Sequence, residues 1–143
     1  MTTPKHAATV GELLAGELPR GVYRLQGRYD AEQLERAALD AGWLFAPLWG
    51  TGTRAETLES LGVALGFGEH YGRNLDALAD CLRDLVGSTL LLWADWAGLA
   101  ENDPDAMRRL LRVLQDAGER GGLLAVVLAG DGPEDLDVPT LVG

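Results

Sequence analysis

The sequence predicts an α/β fold: a single domain with a small parallel β-sheet, three to four strands, packed with helices. Three observations lead there. Apolar runs of strand length alternate with helical patterns along the chain. Residues 89–93 and 123–129 are apolar almost throughout, as in parallel strands covered on both faces. And 143 residues, 47% of them apolar, suffice for one core and are too few for two ordinary domains.

Residues 21–26 (GVYRLQ) read as the first strand. Asp30 followed by Gln33 has capping-box spacing, and the helix opened there should stop at Gly42. Residues 43–49 (WLFAPLW) are the second strand candidate, moved by Pro47 towards a sheet edge or a bulge. Thr53 with Glu56 repeats the capping-box spacing for the next helix. Asn74 is placed to cap a further helix running to about Val86, with Leu75, Leu78, Cys81, Leu82 and Leu85 as its apolar stripe. Residues 89–93 (TLLLW) form the third strand. Asp103 before Pro104 opens a helix whose Met107, Leu110, Leu111, Leu114 and Ala117 share one face, ending near Gly118. Residues 123–129 (LLAVVLA) are the last strand, and right-handed crossovers are expected between strands. Residues 1–20 and 130–143 are expected to be peripheral.

Twelve Lys and Arg against 22 Asp and Glu give a net charge of −10. That balance excludes nucleic acid and anionic membranes as natural ligands, since both need a basic surface, and suits a basic partner. Cys81 is the single cysteine, so no internal disulfide forms and a cytoplasmic location is expected. No signal-type apolar run follows Lys5, and no stretch reaches the ~18 apolar residues of a membrane span.

Catalytic signatures are scarce. There is no GxGxxG, P-loop, CxxC or HExxH, so neither a cofactor nor a metal is implied. Gly50-Thr51-Gly52 lacks the lysine of a phosphate loop and reads as a turn. His6 falls in the terminal segment. His70, beside Glu69 and ahead of a helix, is either a general base or a surface or interface residue. Cys81 lies in the apolar stripe and reads as a buried structural thiol.

The unusual feature is an acidic column. Asp76, Asp80 and Asp84 recur at i, i+4 and i+8 on one helix. Like charges at that spacing destabilise a helix by about 0.2–0.5 kcal/mol per pair. Asp76 recovers part of this at the helix N-terminus, whereas Asp84 near the C-terminus is wrongly placed for the dipole. Arg73 and Arg83, each three residues from an aspartate, are positioned to screen the column. A catalytic carboxylate pair would need an enclosing cleft, and a metal would need converging ligands. A solvated face and an anionic docking face both remain open.

The run from Glu69 to Leu82 (EHYGRNLDALADCL) resembles the signature of the barstar family, intracellular inhibitors of secreted microbial ribonucleases. The likeness extends over residues 43–129, with residues 21–42 similar to the strand–helix extension of some barstar-like inhibitors. The resemblance implies a barstar-like fold and a non-enzymatic inhibitor without cofactor or metal. Its partner would be a secreted ribonuclease with a basic active site, plugged by the acidic helix and the preceding loop. Carried over residue by residue, Asp80 takes the place of a substrate phosphate among the partner's Arg and His side chains. Asp76 adds a second acid, and Gly72 lets the loop backbone approach closely. His70 holds the position of a family aromatic over the catalytic groups, and Asp116 that of an acid on the following long helix. Asp84 extends the column. Ala79 and Leu85 stand where the family often has tryptophan, which reduces aromatic contact area, and Arg73 adds a positive charge. Tyr71 and Asn74 are read as structural, packing the loop and capping the helix. The alternative is a barstar-like acidic module that regulates a different basic protein.

Overall fold

The computed structural model describes residues 8–49, 52–69, 71–119 and 121–143. The elements are α1 (Val10–Leu14), β1 (Val22–Leu25), α2 (Ala31–Asp40), β2 (Leu44–Leu48), α3 (Arg54–Ala64), α4 (Leu75–Arg83), β3 (Thr89–Ala94), α5 (Ala97–Asn102), α6 (Pro104–Gly118), β4 (Leu124–Ala129) and β5 (Thr140–Leu141). The strands form one parallel sheet in the order β2-β3-β4-β1-β5.

Every residue of β3 and β4 is buried, so helices must cover both faces of the sheet. On one face Leu91, Trp93, Val126 and Leu128 meet Leu61, Leu78, Leu82 and Leu114 of the α3–α6 layer. On the other, Leu90, Leu92, Ala125 and Val127 meet Leu13, Leu14, Leu34 and Ala38 of α1 and α2. The topology explains the split. The chain passes from β1 across β4 and β3 to β2, then steps back through β3 to β4. Right-handed crossovers that run in opposite directions along a sheet cover opposite faces.

The helix starts follow the capping signals. Asp30 accepts from the Glu32 and Gln33 amides, Thr53 from Glu56, and Asp103 from Ala106 ahead of Pro104. Pro47 sits on an edge strand, since among the described residues β2 pairs with β3 alone. The Leu44 amide donates inward to Ser88 O at 2.8 Å. Parallel pairing then turns the Phe45 and Pro47 backbone outward, where a missing N–H costs no ladder bond.

Four expectations need correction. The sheet has a fifth strand: β5, from the segment expected to be a tail, pairs with β1 and buries Leu141. The N-terminal segment also packs inside, through α1 and its buried Val10, Leu13 and Leu14. Two- and five-residue elements are too short to show a period. The third is α5, a helix not expected between β3 and α6: its N-cap residue, Trp96, makes no side-chain cap and so leaves no start signal. Finally, α4 ends at Arg83, short of Val86. The Asp84 amide donates to Cys81 O at 3.1 Å and the Leu85 amide to Leu82 O at 3.4 Å, tightening the last turn before the chain leaves for β3. His6, Gly50 and Thr51 lie outside the described residues.

The stretch between β4 and β5 is tied down by Arg24. Its guanidinium stacks over Trp96, 4.9 Å from the ring centroid, and donates to Gly132 O and Pro133 O at 2.9 and 2.6 Å.

At its far end α6 presses directly on the sheet backbone. A Cβ added at Gly118 would lie 2.5 Å from Gly21 N and 2.6 Å from Leu124 O. Neither neighbour is a flexible side chain, so Gly118→Ala is expected to destabilise the protein by on the order of 1–3 kcal/mol. Urea unfolding measures this, and a change below ~0.5 kcal/mol, the range of an ordinary surface substitution, would contradict the close approach.

Candidate functional site

The candidate site is built on α4. Asn74 Oδ1 accepts from the Ala77 amide at 2.8 Å and starts the helix. Leu78 and Leu82 are buried against the core, with Leu75, Ala77, Cys81 and Leu85 half-buried along the flanks. That anchoring turns Asp76 and Asp80 outward, both exposed and one turn apart. Asp84 follows as the C-cap and is also exposed, so the third member of the column ends the helix. A carboxylate at that terminus faces the negative end of the dipole.

Arg83 forms an ion pair with Asp80, which is the screening expected of it. The two side chains are 71% and 68% exposed, so water and salt weaken the pair and a stronger cation can displace it. Arg73, just before the cap, adopts φ +53°, a left-handed conformation that costs a non-glycine residue about 1–2 kcal/mol.

The loop ahead of the helix is anchored by Tyr71. Its ring packs edge-on to Phe67, with centroids 5.1 Å apart, and fills the space left by Gly62, where a Cβ would come within 2.7 Å. The hydroxyl is buried with no hydrogen-bond partner among the described residues. Burial first, then the neighbouring Cys81, pushes the phenol up to about 12, against a smaller lowering by Arg73. Gly72 is exposed over the first turn of α4, and a Cβ there would sit 3.3 Å from Ala77 Cβ and from Asn74 Nδ2. His70 lies outside the described residues.

Cys81 is half-buried at the core edge rather than fully enclosed. Burial, then Asp84 and Asp80, raise its pKa, which keeps it a thiol and a poor nucleophile. Exposed carboxylates such as Asp76 and Asp80 supply charge, not the desolvation that acid–base chemistry exploits. Among the described residues no group of three or more His, Cys, Asp or Glu could hold a metal ion. No described helix is long and apolar enough to cross a membrane.

The structure therefore gathers Gly72, Asp76, Ala79, Asp80, Asp84 and Leu85 on or beside one helix, with Ala79 and Leu85 half-buried. Asp116 lies on α6, the helix that packs against α4. It is exposed and lines a cleft of about 660 Å³ with Arg108, Arg112 and Asp135 over Met107 and Leu136. Among the described residues no α4 side chain lines that cleft. Sequence reasoning also missed an apolar flank beside the site: Asp84 and Leu85 line a second cleft with Leu44, Phe45, Phe67 and Val86. Its only trace in the sequence is Pro47, which marks β2 as an edge.

Comparison with protein families finds a match between residues 47–129 and the family model described as Barstar (barnase inhibitor). No curated protein matches the chain.

The Tyr71 phenol ties stability to alkaline pH. A phenol raised from 10.0 to about 12 on folding contributes full stability below pH 10. Above that the unfolded chain loses its proton first, so stability falls by up to about 1.4 kcal/mol per pH unit until the folded phenol also ionises. Tyr23, also raised by burial, adds to the same fall. Tyr71→Phe removes an unpartnered buried hydroxyl, so it should be neutral or mildly stabilising at pH 7 and should flatten the alkaline slope. Urea unfolding at pH 7 and across pH 10–12 checks both. A variant destabilised at pH 7 with an unchanged slope would contradict the environment described.

Proposed function

The matched segment spans more than half of the chain, from β2 through β4, so the protein belongs to the Barstar (barnase inhibitor) family, and we propose that it is an intracellular inhibitor of a secreted microbial ribonuclease. Family members are inhibitors rather than enzymes. One observation supports the finer reading: Asp76 and Asp80 stand exposed one turn apart on a helix whose opposite face is fixed in the core.

In the proposed complex α4 and the loop before it fill the ribonuclease active site, and the aspartates take the places of RNA phosphates. Arginine reads carboxylate and phosphate with the same planar, bidentate geometry, so an enzyme built for one accepts the other. Asp80 gives up its exposed pair with Arg83 for a desolvated one with the enzyme, where charge pairing is stronger. The like-charge cost along the column is removed when a cationic site neutralises it. The net charge of −10 makes RNA itself an unsuitable ligand and steers a basic enzyme inwards. Asp116 joins only if the enzyme also reaches α6.

A second reading has one observation in its favour. Ala79 and Leu85 are small or aliphatic and half-buried, so the helix offers little aromatic surface for stacking. A module of this fold that regulates another basic protein would show the same face. Inhibition assays against a panel of barnase and other basic secreted ribonucleases separate the two.

Asp80→Ala is expected to weaken binding to the inhibited ribonuclease by at least ~2 kcal/mol. Barstar is itself a standard case of such hot spots, so this magnitude is inherited from the family. Titration calorimetry measures it, and a loss below ~0.5 kcal/mol would remove the docking mode. Stopped-flow association should slow steeply between low and high salt. An on-rate indifferent to salt would argue against steering.

A further inference from the structure

Among the described residues five large apolar side chains are exposed: Leu39, Leu44, Trp49, Val63 and Val86. All but Leu39 belong to one flank of the molecule, along the free edge of β2. Leu44 and Val86 line one cleft there, beside the end of α4. Trp49 and Val63 line another, between β2 and α3. The clefts share Ala64 and so adjoin one another, and together they make a strip along this flank. Val86 is 94% exposed and Val63 80%, so both side chains stand almost wholly in water.

Physical constraints narrow what covers this strip. A strand added to the β2 edge is disfavoured, because Pro47 supplies no N–H on the outward side. A second copy is disfavoured by charge. The two clefts are rimmed by Glu56, Glu59 and Asp84, with no Lys or Arg among the described residues that line them. Two such surfaces, on chains of net charge −10, would repel one another. A basic partner with apolar side chains answers both the apolar floor and the acidic rim. The strip also continues the acidic helix: Asp84 and Leu85, the last residues of the α4 site, form one wall of the cleft beside Leu44.

We propose that the β2 flank is a second docking surface for the same ribonuclease, receiving an apolar segment with basic surroundings next to the active site. The inference rests on the ribonuclease reading above. It supplies the apolar contact area that Ala79 and Leu85 withhold at the helix. Specificity among ribonucleases then resides in the flank, while the aspartates serve any phosphate-binding active site.

The test uses the full chain and a panel of barnase and basic secreted guanyl-specific ribonucleases. Wild type, Asp80→Ala, Glu59→Lys and the double variant Trp49→Ser, Val63→Ser are compared by calorimetry and inhibition. The flank residues are exposed, so circular dichroism and the unfolding midpoint should stay at wild-type values. The double variant is expected to bind the inhibited ribonuclease at least ~10-fold more weakly, with a less negative heat-capacity change because less apolar surface is buried. Glu59→Lys should weaken it in the same direction. Wild-type affinity in the flank variants, with Asp80→Ala defective, overturns the second surface and leaves the active-site reading standing. Insensitivity to Asp80→Ala, or no inhibition of any ribonuclease by the wild type, overturns both. A wild-type dimer in sedimentation that the double variant dissociates assigns the flank to a second copy and overturns the proposal.

Discussion

Two parallel strands without an exposed position, β3 and β4, cannot be left open on either face. The rest of the architecture follows from covering them. The α3–α6 layer closes one side, and α1 with α2 closes the other. Reversing the direction of crossover from β1 to β2 is what places helices on both faces with a single handedness. Within that arrangement α4 has no freedom to rotate. Leu78 and Leu82 must enter the core, so Asp76 and Asp80 must face water. The position of the acids is thus a consequence of apolar packing.

The column is a local cost accepted by the free protein. Aspartates one turn apart repel, Asp84 opposes the helix dipole, and Arg73 holds a left-handed backbone. Arg73 is not alone in that conformation, since Asp95 after β3 also has φ +57°, so the like charge is what distinguishes α4. The Tyr71 ring packs the loop against Gly62 and Phe67.

Much of this was legible in the residues. Asp30, Thr53, Asn74 and Asp103 announce their helices through side-chain chemistry acting within three residues, which a linear sequence displays directly. The apolar runs of β3 and β4 were equally plain. What stayed hidden depends on partners distant in sequence. Thr140–Leu141 becomes a strand only because β1 offers it an edge, and Val10–Leu14 a core helix only because the sheet has a second face. The column was visible as a spacing, but its end at Arg83 was not, because the apolar stripe runs on to Leu85 past the tightened last turn. Asp116 could be read as an acid on the last long helix, but that this helix, α6, packs against α4 is set by tertiary structure that a linear sequence does not display. The β2 flank needed the strand order before Leu44, Trp49, Val63 and Val86 could be seen as neighbours.

Occupation of the active site by the acidic helix is tested most directly by substrate competition. The apparent inhibition constant against a sensitive ribonuclease would be measured over a series of RNA substrate concentrations. If Asp76 and Asp80 stand where substrate phosphates bind, that constant rises linearly with substrate and kcat is unchanged at saturation. An inhibition constant independent of substrate, with kcat lowered, would place the protein outside the active site and contradict phosphate mimicry.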